Sequence, residues 1–309
     1  MEIFITGATG VLGQPVMRQL LEQGHHVRAL ARSEQNVALV RKLGATAVPG
    51  DLWQYEQLHH QMQDCEAVLH LATKIPPMAS IAKRSAWTEN DRIRRMGTQN
   101  IVKAALVGKI QTMIYPSICF VYPNSEDRLI DATNSQPVLA DYYQSTFDAE
   151  AEVQRFADAG RRGIVLRMGF FYGPTSPQSQ EQLRYARWGL ASVPGQPTAH
   201  HPFITIADAA RAVVAALEQA PTGIFDITED DPPTTATINQ AMAAAVGRQR
   251  LYTLPGFLMR QLIGREINNA MSYSQRVSNR RFKDATGWQP QNTCFTGWMS
   301  VAAARRGAQ

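Results

Sequence analysis

Three early glycines, Gly7, Gly10 and Gly13, have the spacing of a phosphate cradle. The first lets a chain turn sharply out of a strand. The second has no side chain to hold a pyrophosphate away from the backbone, and the third lets the next helix pack closely on the strand. Thr9, Val11 and Leu12 complete the turn, whose N–H groups and helix dipole favour anionic phosphates. The spacing is G-x-x-G-x-x-G, not the G-x-G-x-x-G of the dehydrogenase fingerprint. A second cue lies in Ala29-Leu30-Ala31-Arg32-Ser33, which carries no acid before Glu34. An acid there would accept from a ribose 2′-hydroxyl and select NAD. Arg32 would instead pair with a 2′-phosphate, and Ser33 would add one bond. The expected cofactor is NADP, with NAD the alternative.

These residues need a strand–turn–helix scaffold, and the pattern supplies one. Glu2 to Thr6 reads as a buried strand, Gln14 to Gln23 as a helix and Gly24 as its stop. Strands at His26–Ala31, Ala45–Val48, Ala67–Leu71, Thr112–Tyr115, Gly163–Arg167 and Ile224–Ile227 alternate with helical stretches, among them Trp87–Val107 and Tyr142–Ala159. Such alternation predicts a doubly wound parallel α/β sheet. The loop from Lys74 to Ser85 follows a strand, where ligands of open α/β sheets bind, so Lys74 is a candidate site cation. From Gly173 onward prolines punctuate the chain, and after Asp230 it reads as mainly helical. The expected division is a nucleotide-binding domain of residues 1–172 plus 203–229, and a smaller, mainly helical substrate lobe of 173–202 plus 230–309.

Composition narrows the classes. The chain has 309 residues, is 44% hydrophobic and carries a formal net charge of +5. No apolar run approaches the roughly 20 residues of a membrane span, and no charged leader precedes the first strand, so the expectation is a cytoplasmic protein. Cys65, Cys119 and Cys294 form neither a disulfide framework nor a metal-ligand spacing, and His200-His201 lacks further ligands. The basic clusters, such as Arg161-Arg162, are not interleaved with aromatics. No metal and no nucleic-acid partner is expected.

Taken together the motifs resemble the short-chain dehydrogenase/reductase superfamily in its extended, epimerase/dehydratase-like form. The glycine motif is Thr6 to Gly13. Gly50-Asp51-Leu52 matches the turn whose Asp meets the adenine, and Leu69-His70-Leu71-Ala72-Thr73 the strand that lines the cofactor. Gly97-Thr98-Gln99-Asn100 matches the central helix. Leu166 to Pro174, with Gly169 and Phe170, matches the junction into the substrate lobe. Phe203 to Ala210 and Gly287-Trp288-Gln289-Pro290 match later landmarks. The resemblance implies a Rossmann fold and an NAD(P) site formed by the glycine turn, Arg32, Asp51, Leu52, Leu71, Ala72, Thr73, Pro116, Ser117, Gly169 and Phe170. In relatives that dimerise, the two long helices form the homodimer face.

The chain departs from the family in its catalytic set, a Ser or Thr after the fifth strand and a Tyr followed four residues later by a Lys. The hydroxyl position falls on Ile118, with Ser117 one residue earlier. Tyr142 takes the Tyr position, but Thr146 stands where the Lys belongs; starting from Tyr143 puts Phe147 there. A free Tyr hydroxyl has a pKa near about 10, and a neighbouring ammonium lowers it. Thr146 brings no charge. The expected catalytic residues are Tyr142, Ser117 and Lys74. The expected function is an NADPH-dependent oxidoreductase or epimerase/dehydratase-like enzyme acting on a small carbonyl or hydroxyl substrate. The alternative is an impaired relative that binds NAD(P) as a structural or redox-sensing module.

Overall fold

The computed structural model describes residues 1–77, 80–81, 83–193, 195–253, 261 and 272–306. Parts of two expected segments, the Lys74–Ser85 loop and the helical tail, therefore lie outside the described residues.

The chain begins β1 (Glu2–Thr6), α1 (Gly13–Glu22), β2 (His26–Ala31), α2 (Glu34–Lys42), β3 (Thr46–Pro49), α3 (Tyr55–Met62) and β4 (Ala67–His70). Next come α4 (Thr88–Arg92), a π turn (Ile93–Gly97), α5 (Thr98–Val107), β5 (Thr112–Ile118), β6 (Leu129–Ile130), α6 (Gln144–Asp158) and β7 (Arg162–Met168). The remainder holds β8 (Phe170–Tyr172), α7 (Pro177–Arg187), β9 (Leu190–Ala191), β10 (Phe203–Thr205), α8 (Ile206–Gln219), β11 (Gly223–Ile227) and α9 (Thr235–Ala245), and helices Arg280–Thr286 and Cys294–Arg306.

Seven parallel strands form the central sheet in the order β11-β7-β5-β4-β1-β2-β3. The strand order reverses between β1 and β4, which opens a crevice at their carboxyl ends. The core lies in two layers. Ile3 and Ile5 of β1 pack with Val16, Met17 and Leu20 of α1 and with α8 on one face. Phe4, Met113 and Tyr115 pack with α3, α5 and α6 on the other. Local signals fix the helix ends: Ser33 accepts from the Asn36 N–H at the start of α2, which carries Glu34 in its first turn and Arg41 and Lys42 in its last.

Pro116 in the middle of β5 needs an account, because a proline there removes a ladder donor. β4 pairs with β5 only as far as Leu69 with Ile114, whereas β7 continues to Ile118. Pro116 thus lies where β5 has lost its β4 neighbour, beside the crevice.

One sequence expectation needs correction. Trp87–Val107 is not one regular helix, because the π turn Ile93–Gly97 interrupts it and buries Ile93, Arg94 and Gly97. The small lobe has its own core of Tyr172, Leu183, Ile238, Met242 and Trp298. The segment after residue 230 contributes side chains both to this core and to the sheet core. Phe282 packs against Phe225 in the sheet core and Trp288 packs on Phe282, and a short strand at Arg276–Val277 pairs with β6.

Candidate active site

Because the sheet is parallel, every segment that follows a strand emerges at one edge. The glycine turn after β1, Arg32 after β2, Asp51 after β3, Leu71–Lys74 after β4, Ser117 at the end of β5 and Gly169–Phe170 after β7 are therefore gathered there. The fold brings the proposed cofactor residues to one edge although they are spread from Gly7 to Phe170 along the chain.

The glycine turn fits a dinucleotide. Gly7 has φ 71°, and a Cβ on it would come within 2.6 Å of the Ala72 nitrogen. A Cβ on Gly13 would overlap the Gly7 carbonyl and approach Ala8 Cα at 2.7 Å. Gly10, exposed, closes the turn by donating its N–H to the Gly7 carbonyl at 3.0 Å. α1 has neither a capping side-chain bond nor an acid in its first turn, so its positive end is available to an anion. Thr9 lends only its carbonyl, to the Gln14 side chain at 2.9 Å. Val11 is exposed and Leu12 buried.

On the adenosine side, Asp51 Oδ1 accepts from the Trp53 N–H at 3.2 Å, and the Leu52 carbonyl accepts from Asn100 Nδ2 at 2.8 Å. Those bonds fix the turn. Arg32 is exposed and pairs with Glu89 at 3.5 Å. The other wall consists of buried Leu71, half-buried Ala72 and exposed Thr73, with Pro116 and half-buried Phe170 further along. A Cβ on Gly169 would meet the Pro202 carbonyl at 2.5 Å, so only glycine allows the crossing into the small lobe. Phe170 stacks on Phe120, with ring centroids 3.7 Å apart.

Among the catalytic candidates, Tyr142 sits just before α6, half-buried. Its ring packs edge-on against Trp87 at 5.3 Å, and its hydroxyl makes no hydrogen bond among the described residues. Burial pushes its phenol up and Arg94 and Arg84 oppose that shift, while Tyr143 and Asp91 reinforce it. Tyr143 is pushed to about 12, chiefly by burial. Lys74 is exposed; its backbone N–H donates to Asn90 Oδ1 at 2.9 Å, which pins the loop but leaves the ammonium directed to solvent.

Ser117 faces another way. It is buried, and its hydroxyl donates to Glu150 Oε1 at 2.5 Å. Glu150 in turn holds Arg167 in a two-point ion pair, with Nη2 to Oε2 at 2.7 Å and Nε to Oε1 at 3.1 Å. Arg167 donates on to the Tyr122 hydroxyl at 3.0 Å, and Tyr122 donates to Asp226 at 2.8 Å. Burial lifts Asp226 to about 7. Ser117 is thus part of a buried polar lattice beneath the crevice, and half-buried Ile118 holds the strand-end position.

Sequence reasoning missed a group beside Tyr142. Arg94, buried in the π turn, donates from Nη1 to the Thr146 hydroxyl at 2.6 Å. Thr146 is the position where the lysine was expected. Nearby, Arg84 pairs with Asp91 at 2.5 Å, and Ser145 donates to the other Asp91 oxygen at 2.7 Å. Nothing in the local sequence separates Arg94 from Arg92 and Arg95 unless the break in helix phase is known. His201, the other ring singled out from the sequence, is buried against Thr235 at 2.8 Å, and burial pushes it to about 4. No cluster of His, Cys, Asp or Glu among the described residues could hold a metal, and none of their helices is long and apolar enough to cross a membrane.

The profile of the NAD dependent epimerase/dehydratase family matches residues 3–227. The chain belongs to this family. Among curated members it is 28% identical to 3-diazoavenalumate denitrifying reductase from a Streptomyces species, over 94% of this chain and 96% of that one. It is 26% identical to 2-alkyl-3-oxoalkanoate reductase from Shewanella oneidensis, over 98% and 80%. Among solved structures, UDP-glucose 4-epimerase from Thermotoga maritima, determined with UDP-glucose, is similar with a TM-score of 0.79 at 18% identity, covering 100% of this chain and 99% of that one. The human epimerase family protein SDR39U1, determined with NADPH, gives 0.78 at 22%, covering 98% and 99%. The Rossmann architecture read from the sequence is that of the family, and so is its class, nicotinamide-dependent chemistry.

Proposed function

We propose that the protein is an NADPH-dependent reductase of a small carbonyl compound. The observation that carries this reading is the half-buried Tyr142, whose hydroxyl has no partner among the described residues and lies next to arginines, on the crevice edge that also bears the glycine cradle. When bound, the nicotinamide would supply the hydride that reduces the carbonyl carbon. Tyr142 would donate its proton to the oxygen as negative charge develops there, giving the alcohol. Gly7, Gly10 and Gly13 would hold the pyrophosphate against the start of α1, and Asp51 the adenine end. Arg32 would take the 2′-phosphate. Phe120 and Phe170 would give the substrate an apolar wall. Lys74 would reach bound substrate from its loop, and Ser117 would support the end of β5 under the nicotinamide.

Two considerations favour reduction over sugar-nucleotide epimerisation. Three of the relatives covering nearly the whole chain are named as reductases, and SDR39U1 was solved with NADPH. A second diphosphate would call for free arginines on α7, yet Arg184 pairs with Glu181 at 3.3 Å. A homodimer through the α4–α6 face is part of this proposal, and the expected partner is a small molecule.

The test is NADPH oxidation with a panel of ketones and β-ketoacids, run beside Tyr142→Phe. Turnover in the parent, with kcat lowered about 10²- to 10⁴-fold in the variant, supports the assignment. Tight NADPH binding with no turnover on any carbonyl would favour the structural or redox-sensing module instead.

A further inference from the structure

Arg94 is a buried guanidinium, 6% exposed. Among the described residues no carboxylate lies within ion-pair distance of it; the nearby acid, Asp91, is engaged by Arg84 and Ser145. Its Nη1 is fixed on the Thr146 hydroxyl at 2.6 Å, the buried Tyr115 hydroxyl also bonds to the guanidinium, and its enclosed Nε has no partner among the described residues. A buried charge with neither counterion nor full hydrogen bonding is costly, by several kcal/mol in order of magnitude. Ordinary packing gives no return for that cost. An anion forming nearby would.

The geometry points to Arg94 as the cation of the Tyr142 site, standing in for the lysine that position 146 lacks. This rests on the reading of Tyr142 as proton donor. Tyr142 lies in the 3-10 turn Asp141–Tyr143 that leads into α6, Thr146 lies in the first turn of α6, and the charge held on Thr146 acts on the Tyr142 hydroxyl across that junction. The chain places that charge from the opposite element. The π turn inserts one residue's worth of rotation between α4 and α5 and directs Arg94 inward across α6. The guanidinium stays protonated whatever surrounds it, whereas a lysine so enclosed would tend to lose its proton. Arg94 acts on Tyr142 as a positioning and electrostatic group and does not replace it as proton donor. The other groups facing Tyr142 are Tyr143, Arg84 and Asp91. The last two are an ion pair whose fields largely offset one another, which leaves Arg94 as the net charge.

The test needs neither turnover nor cofactor. 3-Nitrotyrosine is placed at position 142, and its phenolate is titrated by visible absorption in the full chain. Arg94→Gln is expected to raise the midpoint by about one pH unit or more. Arg94→Gln/Thr146→Lys, which returns the charge from the other side, should restore it. Thr146→Ala, which only frees the guanidinium, should give a smaller rise; it serves if Arg94→Gln does not fold. In turnover, kcat should fall at least about tenfold in Arg94→Gln and recover in the double variant, a rescue that a merely structural arginine would not show. Midpoints unchanged in Arg94→Gln, or in Thr146→Ala where only that variant folds, overturn the proposal. Absence of turnover in the parent overturns the reductase reading instead, and leaves the titration to decide the charge.

Discussion

Arg32 and Glu89 face each other across the crevice, Nη1 to Oε1 at 3.5 Å, one from the end of β2 and the other from α4. Both side chains are about half exposed, so the pair contributes little to stability. Its consequence is for the cofactor. A 2′-phosphate would have to take the guanidinium from Glu89, and would then sit close to that carboxylate. Arg32→Ala should raise the dissociation constant for NADPH about 10- to 100-fold, the usual span for a charged hydrogen-bonded contact, and leave that for NADH nearly unchanged. Glu89→Gln should tighten NADPH several-fold. Fluorescence titration with both nucleotides checks this, and an NADH preference indifferent to Arg32→Ala would reverse the cofactor assignment.

The glycine turn makes a second, separable prediction. Gly13 is buried against Ala8 and the Gly7 carbonyl, whereas Gly10 is exposed and a Cβ there would meet only the Gly7 carbonyl, at 3.1 Å. Gly13→Ala should therefore cost about 1–3 kcal/mol of stability, as overpacking does, together with nucleotide binding. Gly10→Ala should keep the melting temperature within a few degrees and still lose most of the affinity, because its methyl projects where the pyrophosphate would lie. Equal losses of stability in the two variants would show that the turn's glycines serve folding alone.

The cradle was legible in the sequence because its requirement is on the backbone: only glycine meets it, and the spacing is local. Ser117 was harder to read, although a signal existed. Along β5 the side chains alternate, and Met113 and Tyr115 both enter the core under α5 and α6. Ser117 continues that series, which directs it to Glu150 on α6. The resemblance puts the family's hydroxyl position on Ile118 and Ser117 one residue earlier, whereas alternation along the strand says which way Ser117 faces. Arg94 left no comparable trace. Helical periodicity assumes an unbroken phase, and the π turn shifts it inside Trp87–Val107. Where Phe282 and Trp288 pack is a matter of tertiary contact, which composition does not encode.

The lattice around Ser117 gives a stability prediction. Ser117→Ala removes one bond from Glu150 but leaves its two contacts with Arg167 in place. The expected cost is about 1–3 kcal/mol in urea unfolding, with kcat close to the parent's. Glu150→Gln leaves Arg167 buried without its counterion and should cost more, about 3–5 kcal/mol. A kcat for Ser117→Ala reduced as far as that of Tyr142→Phe would return Ser117 to the catalytic group.

The last prediction concerns pH and the seam between the lobes. Glu229 is buried and accepts from the Tyr172 hydroxyl at 2.7 Å; burial lifts its carboxyl from 4.5 to about 7, against the opposing hydrogen bond. A carboxyl whose folded value exceeds its unfolded one binds its proton more tightly in the folded chain. Its contribution is complete below the unfolded value and is lost as pH rises through the folded one. The sign is opposite for His70 and His201, both pushed down to about 4 by burial, whose contribution grows as pH rises from about 4 to about 6.5. The whole protein's profile mixes the two, so the informative quantity is the difference between parent and Glu229→Gln. Between about pH 5 and about pH 8 the parent should lose on the order of 2 kcal/mol relative to that variant, measured as unfolding free energy at each pH. A constant difference across that range would mean that Glu229 titrates at its ordinary value, and that the Tyr172 contact and local hydration offset its burial.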